Sequence, residues 1–324
     1  MSERPLPSLE DVRAAARRIA PHIHRTPVMR SRTLDAMANA SLYFKCENLQ
    51  RVGAFKMRGA TNAIFSLSDA VARRGVATHS SGNHAQAVAL AAKLRGVDAH
   101  VVMPEDAPEV KRAAAESYGA RIVTCASNLR AREQTLAEVV EATGATPIHP
   151  YDDARVIAGQ GTAALELLEQ EPELDVLIAP VGGGGLLSGS ALAASSQGGA
   201  LRVIGAEPAA ADDAFRSLES GQRQPSLDPV TLADGLRTAL GELPFRILRE
   251  HDVRIRLVDE PEIVGAMRLV WERMKLLIEP SAAVAVATAL FDAEAGLAGM
   301  RVGVLLSGGN VELEALPFGS SLRA

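Results

Sequence analysis

The sequence contains little cysteine and no long apolar segment. Its 324 residues include two cysteines, Cys46 and Cys125, too few for a disulfide framework, so we expect both to be reduced. Cys125 ends the apolar run RIVTC, which favours a small core residue over a nucleophile. No segment approaches about twenty uninterrupted apolar residues, and the N-terminus is polar where a signal peptide would be apolar. These absences predict a soluble, cytoplasmic protein with no membrane partner.

An excess of basic charge is also missing. The 34 lysines and arginines are outnumbered by 39 acidic residues, the formal net charge is −5, and the basic residues are dispersed. Such a chain has no general attraction to phosphate backbones, so nucleic acid is not an expected partner. Apolar residues make up 47% of the sequence, enough for a sizeable core. The length predicts two lobes, or one large α/β unit with a mobile part.

Short runs rich in valine and isoleucine alternate with alanine-rich stretches of helical period. After an N-terminal helix that Ser8 begins and Pro21 ends, the runs VATHS, AHVVMP and RIVTC are each followed by a helical segment. The alternation returns around DVLIAP, LRVIGAE and VGVLL. Strands separated by helices pair in parallel, so the predicted fold class is α/β, with open parallel sheets flanked by helices. Ligands should bind in the loops after the strands.

One of these loops contains four consecutive glycines between a strand and a helix. Gly182 to Gly185 leave backbone N–H groups unobstructed at a helix N-terminus, which suits a phosphate. A tight turn with close helix packing is the alternative, although one or two glycines normally suffice for a turn. Glu207 lies near the spacing of a dinucleotide-binding fingerprint, so a nicotinamide cofactor stays open on spacing alone.

Two further segments carry candidate catalytic groups. Lys56 in RVGAFKMRGA follows an aromatic residue in an apolar segment; such a lysine more often extends to water, but a partly desolvated amine is what Schiff-base chemistry requires. The segment Ser80-Ser81-Gly82-Asn83-His84 follows a strand and opens a helix, and its polar groups could hold a carboxylate. The alternative is a helix N-cap followed by a solvent-facing histidine.

Together these segments resemble one family. The segments FKCENLQRVGAFKMRGA, THSSGNHAQAVALAAK, VIAGQGT, VGGGGLLSG, VWERMKLLIEP and LLSGGN stand in the order and spacing of fold-type-II pyridoxal-phosphate (PLP) enzymes. Over about residues 8 to 315 the chain is similar to the branch of serine racemases and serine/threonine dehydratases (threonine ammonia-lyases). The resemblance implies a two-lobed, tryptophan synthase β-like fold. Residues 1–71 and 151–324 would form a large PLP-binding lobe, and residues 72–150 a small mobile lobe that closes over substrate.

The resemblance also implies a role for each candidate residue. Lys56 would hold PLP as a Schiff base and act as the base, and Ser307 would meet the pyridine nitrogen. A neutral hydroxyl there makes the ring a weaker electron sink than a carboxylate would, which favours prompt loss of a β leaving group. The implied cofactor-binding residues are Phe55, Lys56, Asn83, Gly182, Gly183, Gly184, Gly185 and Ser307.

The implied substrate site adds a second catalytic candidate. Ser81 would face the opposite side of the α-carbon from Lys56 and could exchange a proton there, which would allow racemisation. Arg132 could bind a carboxylate with its guanidinium fork, or it could be an exposed helical arginine. The implied substrate-binding residues are Ser80, Ser81, Gly82, Asn83, His84 and Arg132.

A metal site is implied as well. The carboxylates of Glu207 and Asp213 and the backbone carbonyl of Ala211 match a cation site in the racemase branch. Oxygen ligands of this kind suit Mg²⁺, with Ca²⁺ or Mn²⁺ as other candidates. The alternative is a solvated acidic loop.

The predicted function is that of a PLP-dependent ammonia-lyase (dehydratase). It would convert threonine or serine, or else 3-hydroxyaspartate, to a keto or imino acid and ammonia by α,β-elimination. The alternatives are a serine racemase with dehydratase side activity, a threo-3-hydroxyaspartate ammonia-lyase, and a non-catalytic ligand-binding protein of the same fold. The resemblance further implies a homodimer.

Overall fold

The computed structural model describes residues 4–313 and 316–318. The predicted large lobe therefore includes positions at both ends of the chain that lie outside the described residues. The resemblance also includes residues 314–315, which lie outside them. Within the described part of the chain, no helix is long and apolar enough to cross a bilayer. The two cysteines are free thiols. Cys46 is buried, but Cys125 is only half-buried at the end of a sheet-edge strand, so the predicted core position is wrong for Cys125.

Two sheets organise the described residues. The larger has six strands in the order β1-β2-β10-β7-β8-β9, and the smaller has four in the order β5-β4-β3-β6. The strands are β1 (Val28–Met29), β2 (Ser41–Cys46), β3 (Val76–His79), β4 (Ala99–Pro104), β5 (Arg121–Cys125), β6 (Thr146–Pro147), β7 (Val176–Pro180), β8 (Arg202–Pro208), β9 (Arg254–Val258) and β10 (Arg301–Leu306).

Neighbouring strands pair in parallel, as predicted, with one exception. The two-residue strand β1 runs antiparallel to β2 at the edge of the larger sheet. The smaller sheet is built entirely from residues between 76 and 147, while the larger takes strands from both sides of that segment. The exact lobe boundaries and the motion of the small lobe stay predictions.

Helices flank both sheets. Strands rich in residues branched at Cβ are followed by alanine-rich helical segments. The helices are α1 (Leu9–Ile19), α2 (Arg32–Ala38), α3 (Lys56–Phe65), α4 (Asp69–Ala72), α5 (Asn83–Arg95), α6 (Glu109–Ser117), α7 (Leu129–Thr143), α8 (Ala154–Gln170), α9 (Gly185–Ala194), α10 (Asp213–Ser220), α11 (Glu242–Glu250), α12 (Glu260–Leu269) and α13 (Pro280–Phe291). Ser8 caps α1 in a capping box, as its sequence predicts. The helix predicted through VWERMKLL instead ends at Leu269, and a π-helical turn follows over Val270–Met274.

Three hydrophobic clusters fill the interior. Two cover opposite faces of the larger sheet, and the third packs α3 and α5 against the smaller sheet. Where α3 crosses α8, a Cβ on Gly159 would lie 2.6 Å from the Cα of Gly59. Where α8 crosses α9, a Cβ on Gly189 would lie 2.5 Å from the backbone nitrogen of Gly161. Backbone therefore meets backbone at both crossings, and α3, α8 and α9 form one closely packed group.

Candidate active site

Lys56 is the first residue of α3, and its amine lies beside backbone instead of solvent. Nζ donates a hydrogen bond to the carbonyl oxygen of Pro150 at 2.8 Å and lies 5.1 Å from the ring centroid of Phe55. Burial lowers the pKa of Lys56 to about 8, against the opposing effect of the Glu279 carboxylate. A sizeable fraction of this amine is therefore uncharged near neutral pH, which a nucleophile or a base requires.

The glycine loop between β7 and α9 is buried and tightly enclosed. A Cβ on Gly182 would lie 2.8 Å from the Cα of Leu236, and one on Gly183 would lie 2.3 Å from the ring of Tyr151. Gly184 adopts a left-handed backbone with φ of 88° and precedes the first turn of α9. In the part of the chain that the structure describes, the amides of residues 182–184 donate to no protein acceptor. Buried, unpaired N–H groups at a helix N-terminus fit a phosphate.

Ser307 lies at the end of the strand β10, next to the start of the helix that carries Lys56. It follows β10, is 2% exposed, and its carbonyl accepts the amide of Phe55 at 3.0 Å. Ala54 and Gly308 form an antiparallel bridge one residue further out. Among the described residues the Ser307 hydroxyl has no hydrogen-bond partner, which leaves it available to a ring nitrogen.

The segment from Ser80 to His84 joins β3 to α5. The Ser80 hydroxyl accepts the amide of Gly82 at 3.3 Å, whereas the Ser81 hydroxyl has no partner among the described residues. His84 is 2% exposed, and its Nε2 lies 3.1 Å from the carbonyl oxygen of Ile148. Burial holds the pKa of His84 well below its usual range. The solvent-facing histidine considered from the sequence is therefore wrong.

Asn83 belongs to a polar cluster that the sequence interpretation missed. Its amide nitrogen donates to both carboxylate oxygens of Glu279, at 3.0 and 3.1 Å, and its oxygen accepts from Asn310 at 2.8 Å. Asn310 also donates to the carbonyl of Val52 at 2.7 Å. Burial raises the pKa of Glu279 to about 7. The segments LLIEP and LLSGGN contain Glu279 and Asn310, but nothing in their local pattern assigns them a role.

A second missed group lies in the segment HPYDD. The ring of His149 contacts the rings of Tyr151 and His79 edge-on, with centroids 4.7 and 6.1 Å apart. Pro150 supplies the carbonyl that accepts the Lys56 amine. The only sequence signal was that HPYDD interrupts the alternation of strands and helices.

Arg132 is half-buried on α7 near the end of β3. Its Nε is buried, and the guanidinium makes no hydrogen bond to any described residue. Burial lowers the pKa of His79; Glu133 opposes this effect and the positive charge of Arg132 adds to it. The guanidinium thus lies close to His79, whose ring contacts His149. The fully exposed helical arginine considered from the sequence does not match this environment.

The predicted metal ligands are buried. Glu207, at the end of β8, accepts the amides of Ala214 and Phe215 at 2.9 and 2.8 Å, and Asp213 accepts the amide of Leu240 at 2.8 Å. Burial raises the pKa of Glu207 to about 8 and that of Asp213 to about 6. The solvated acidic loop is therefore wrong. Within the described residues no three His, Cys, Asp or Glu side chains cluster as a metal site, so a cation would need the Ala211 carbonyl and water.

The comparison with protein families decides between the cofactors that the glycine loop could bind. The model of the family described as pyridoxal-phosphate dependent enzyme matches residues 19–308. The chain belongs to this family. The nicotinamide interpretation of the Glu207 spacing is set aside, and the glycine amides, the Lys56 amine and the Ser307 hydroxyl all fit PLP.

Individual relatives of this PLP enzyme are similar over nearly their whole length. It is 49% identical over 313 residues to the beta-hydroxyaspartate dehydratase of Paracoccus denitrificans, covering 97% of this chain and 99% of that protein. It is 48% identical over 310 residues to the L-threo-3-hydroxyaspartate ammonia-lyase of Saccharomyces cerevisiae, covering 95% of each. The crystal structure of serine racemase from Dictyostelium discoideum superposes with a TM-score of 0.91 at 50% identity, covering 95% of this chain and 99% of that one. The predicted family, fold class and enzyme class are confirmed.

Proposed function

We propose that this PLP enzyme is an ammonia-lyase that removes water and ammonia from a small β-hydroxy amino acid. The α-proton and the β-hydroxyl leave together as water, and the enamine that remains hydrolyses to a keto acid and ammonia. One observation carries the proposal. A lysine amine with a lowered pKa shares a site with glycine amides and a serine hydroxyl that bond no described residue, and these groups together match the aldehyde, phosphate and ring nitrogen of one cofactor.

Each residue then has a definite task. PLP, when bound, supplies the conjugated ring that accepts the electrons of the breaking α C–H bond. Lys56 holds the cofactor and takes the α-proton, because its lowered pKa leaves it partly uncharged at neutral pH. The amides of residues 182–184 bind the phosphate, and Asn83 is held by Glu279 to meet the ring hydroxyl. Ser307 offers a neutral hydroxyl to the ring nitrogen and so does not stabilise a proton there.

Among the candidate substrates we favour 3-hydroxyaspartate over threonine and serine. The guanidinium of Arg132 has no hydrogen-bond partner in the described part of the chain, and it suits a second carboxylate because an arginine fork binds a carboxylate with two parallel hydrogen bonds. The names of two relatives, a beta-hydroxyaspartate dehydratase and a 3-hydroxyaspartate ammonia-lyase, support the same choice.

Serine racemisation is a second candidate activity. Ser81 precedes α5 and its hydroxyl has no protein partner among the described residues, so it is free to exchange a proton with substrate. The similarity to a serine racemase supports this role. Chiral analysis of serine after incubation measures it, and formation of D-serine faster than pyruvate would make racemisation the main activity.

A substrate panel tests the main proposal. Keto acid release should be fastest with 3-hydroxyaspartate, and the purified enzyme should show a visible absorption band that borohydride converts to a stable adduct at Lys56. Lys56→Ala should lose both the adduct and the keto acid release. A colourless protein without an adduct would support the non-catalytic alternative, and undiminished deamination by Lys56→Ala would exclude the proposed chemistry.

We further propose that residues 72–150 form a small lobe that closes over the substrate, while residues 1–71 and 151–324 carry the cofactor. The confinement of the four-stranded sheet to residues 76–147 supports this division. Lys56 and the glycine loop lie on one side of the division, and Ser81, Asn83 and Arg132 on the other. Closure would exclude water from the reacting atoms.

We propose a Mg²⁺ site, which could also take Ca²⁺ or Mn²⁺, at Glu207, Asp213 and the Ala211 carbonyl. Two buried carboxylates with raised pKa values support a compensating cation, and no lysine or arginine that the structure describes bonds Glu207. Binding to the folded state alone stabilises it, so saturating Mg²⁺ should raise the unfolding temperature by several degrees. EDTA should reverse the rise, and Glu207→Gln should abolish it; an equal rise in that variant would place the ion elsewhere.

We also propose a cytoplasmic homodimer. Two free thiols suit a reducing compartment. Leu227 and Val230 are 72% and 84% exposed in the loop before α11, and burial against a second copy would remove this apolar surface from water. Sedimentation of the purified protein would measure the oligomeric state directly.

A further inference from the structure

The turn over residues 149–152, between β6 and α8, is closed by the side chain of His149. The ring Nδ1 accepts the amide of Asp152 at 2.8 Å and that of Tyr151 at 3.3 Å. A backbone N–H can only donate, so Nδ1 carries no proton and the neutral ring must carry its proton on Nε2. The hydrogen bonds thus fix both the charge and the tautomer of His149.

The environment of the ring keeps it in this state. Burial lowers the pKa of His149 to about 4, with Asp152 and Asp153 opposing the shift and His79 and Lys56 adding to it. A proton on Nδ1 would also break both hydrogen bonds to the turn. The cap therefore persists across the neutral pH range.

The capped turn carries two groups of the proposed cofactor site. The carbonyl of Pro150 accepts the Lys56 amine at 2.8 Å. One residue later, the ring of Tyr151 fills the space beside Gly183, where a Cβ would lie 2.3 Å from the ring, and the backbone of Tyr151 lies against Gly185. The same turn thus contacts the amine from one side and the glycine loop from the other.

We infer that His149 is a positioning residue, which through the turn it caps sets the place of the Lys56 amine relative to the phosphate-binding glycines. The inference rests on the proposed function, because it assigns His149 a role only in forming that site. His149 itself need not touch the substrate. Without the Nδ1 acceptor, the amides of residues 151 and 152 lose their partner, and the Pro150 carbonyl and the Tyr151 ring are no longer held together.

Two substitutions of His149 distinguish the effect of losing the Nδ1 acceptor from the effect of losing the aromatic ring. His149→Asn places an amide oxygen one bond beyond Cγ, where Nδ1 lies, and so keeps an acceptor while losing the ring. His149→Phe keeps a ring against Tyr151 and His79 but has no acceptor. Both apoproteins are mixed with pyridoxal 5'-phosphate, and the rate of imine formation is followed by absorbance over a range of pH.

His149→Asn should form the imine within about threefold of the parent rate, with an unchanged pH profile. In His149→Phe the amine should be more exposed to water, so the midpoint of the profile should rise by about one pH unit and the rate at neutral pH should fall about tenfold. A parent-like His149→Phe, or equal losses in both variants, would overturn the inference.

A measurement on the parent protein covers the case in which His149→Phe does not fold. Nitrogen NMR distinguishes the two tautomers of a histidine ring, and His149→Asn identifies the signal by its disappearance. We expect His149 to be protonated at Nε2 alone throughout neutral pH, and a proton on Nδ1 would exclude the cap. Neither result depends on turnover: a failure of the proposed function appears in Lys56→Ala, whereas a failure of this inference appears only in the His149 experiments.

Discussion

Arg132 and Arg130 lie on the same helix but in different surroundings. Arg130 is exposed, whereas Arg132 is half-buried, and its shielded Nε has no partner within residues 4–313 and 316–318. Burying part of a guanidinium without a hydrogen-bond acceptor is unfavourable, and a substrate carboxylate would supply that acceptor.

We therefore expect Arg132→Gln to lower kcat/KM for one substrate and to leave kcat/KM for another nearly unchanged. The value of kcat/KM for 3-hydroxyaspartate should fall about 100-fold, the equivalent of roughly 2–3 kcal/mol for a lost charge-assisted pair. The value for serine, which has no second carboxylate, should change by no more than about threefold. Arg130→Gln is the matched control and should alter neither. Equal losses on both substrates would leave Arg132 without a part in side-chain recognition.

The residue scale is also where the sequence was least informative. Val52 has φ of 55°, an unfavourable left-handed backbone for a residue branched at Cβ, and no sequence rule predicts such a conformation. It becomes understandable only with Asn310, which lies 258 positions away and bonds the Val52 carbonyl. Glu279 escaped notice for the same reason, since its partner Asn83 is 196 positions away.

Helix α3 is anchored by a buried ion cluster two residues beyond Lys56. The guanidinium of Arg58 is fully buried and bonds Glu47 at 2.7 and 2.8 Å and Glu166 at 2.9 Å on two nitrogens. Lys45 bonds Glu166 from the other side at 2.8 Å. Because each charge is compensated, the cluster fixes the start of α3 without leaving a charge unpaired.

Removing Arg58 should therefore cost far more than removing a surface arginine. Arg58→Met leaves Glu47 and much of Glu166 buried without their main counter-charge, so the free energy of unfolding should fall by about 3–5 kcal/mol. Arg17→Met, which breaks an exposed pair with Glu10 at 3.0 Å, should lower it far less, because water screens that pair. Urea unfolding measures both, and similar values would mean that the buried cluster does not stabilise α3.

At the scale of helices and strands, the sequence predicted the positions of elements that are buried along most of their length. The strands β7 and β10 and the helices α8 and α9 are continuous apolar or alanine-rich segments, and the structure forms them where the pattern predicts. Strand β9 was not predicted, because Arg254 and Arg256 interrupt its apolar residues at the edge of the sheet and it lacks the continuous apolar run of the central strands. The two residues of β1 are too short to leave a pattern.

At the scale of the whole molecule the two sheets differ in how many residues of their strands and flanking helices are buried. No residue of α7 or β5 is buried, whereas eleven residues of α8 and all ten of α9 are. Segments with few buried contacts open at a lower free energy than the rest of a fold. The smaller sheet should therefore be the less stable part of the protein.

Hydrogen exchange followed by mass spectrometry would test this difference. Peptides from α7 and β5 should exchange their amides well before those from α8 and α9, and a bound substrate analogue should slow exchange in the first group more than in the second. Uniform exchange across both sheets would contradict a separately mobile small lobe.

The topology also marks how far a site can be predicted from sequence. Loops after parallel strands lie at one edge of a sheet, which is why the glycine loop and Ser307 could be assigned to a site before any coordinates. Their relation to HPYDD could not, because it depends on how two sheets meet, and no local pattern encodes that angle.

The crossing of α3 and α8 at Gly59 and Gly159 limits where flexibility can reside. With no side chain between the two backbones, no change of rotamer can absorb a displacement, and the helix that begins at Lys56 must travel with the one that begins just after HPYDD. The Lys56 amine is thus attached to the closely packed group of α3, α8 and α9. We expect substrate entry to be controlled by segments that move relative to this group, and not by movement of the amine.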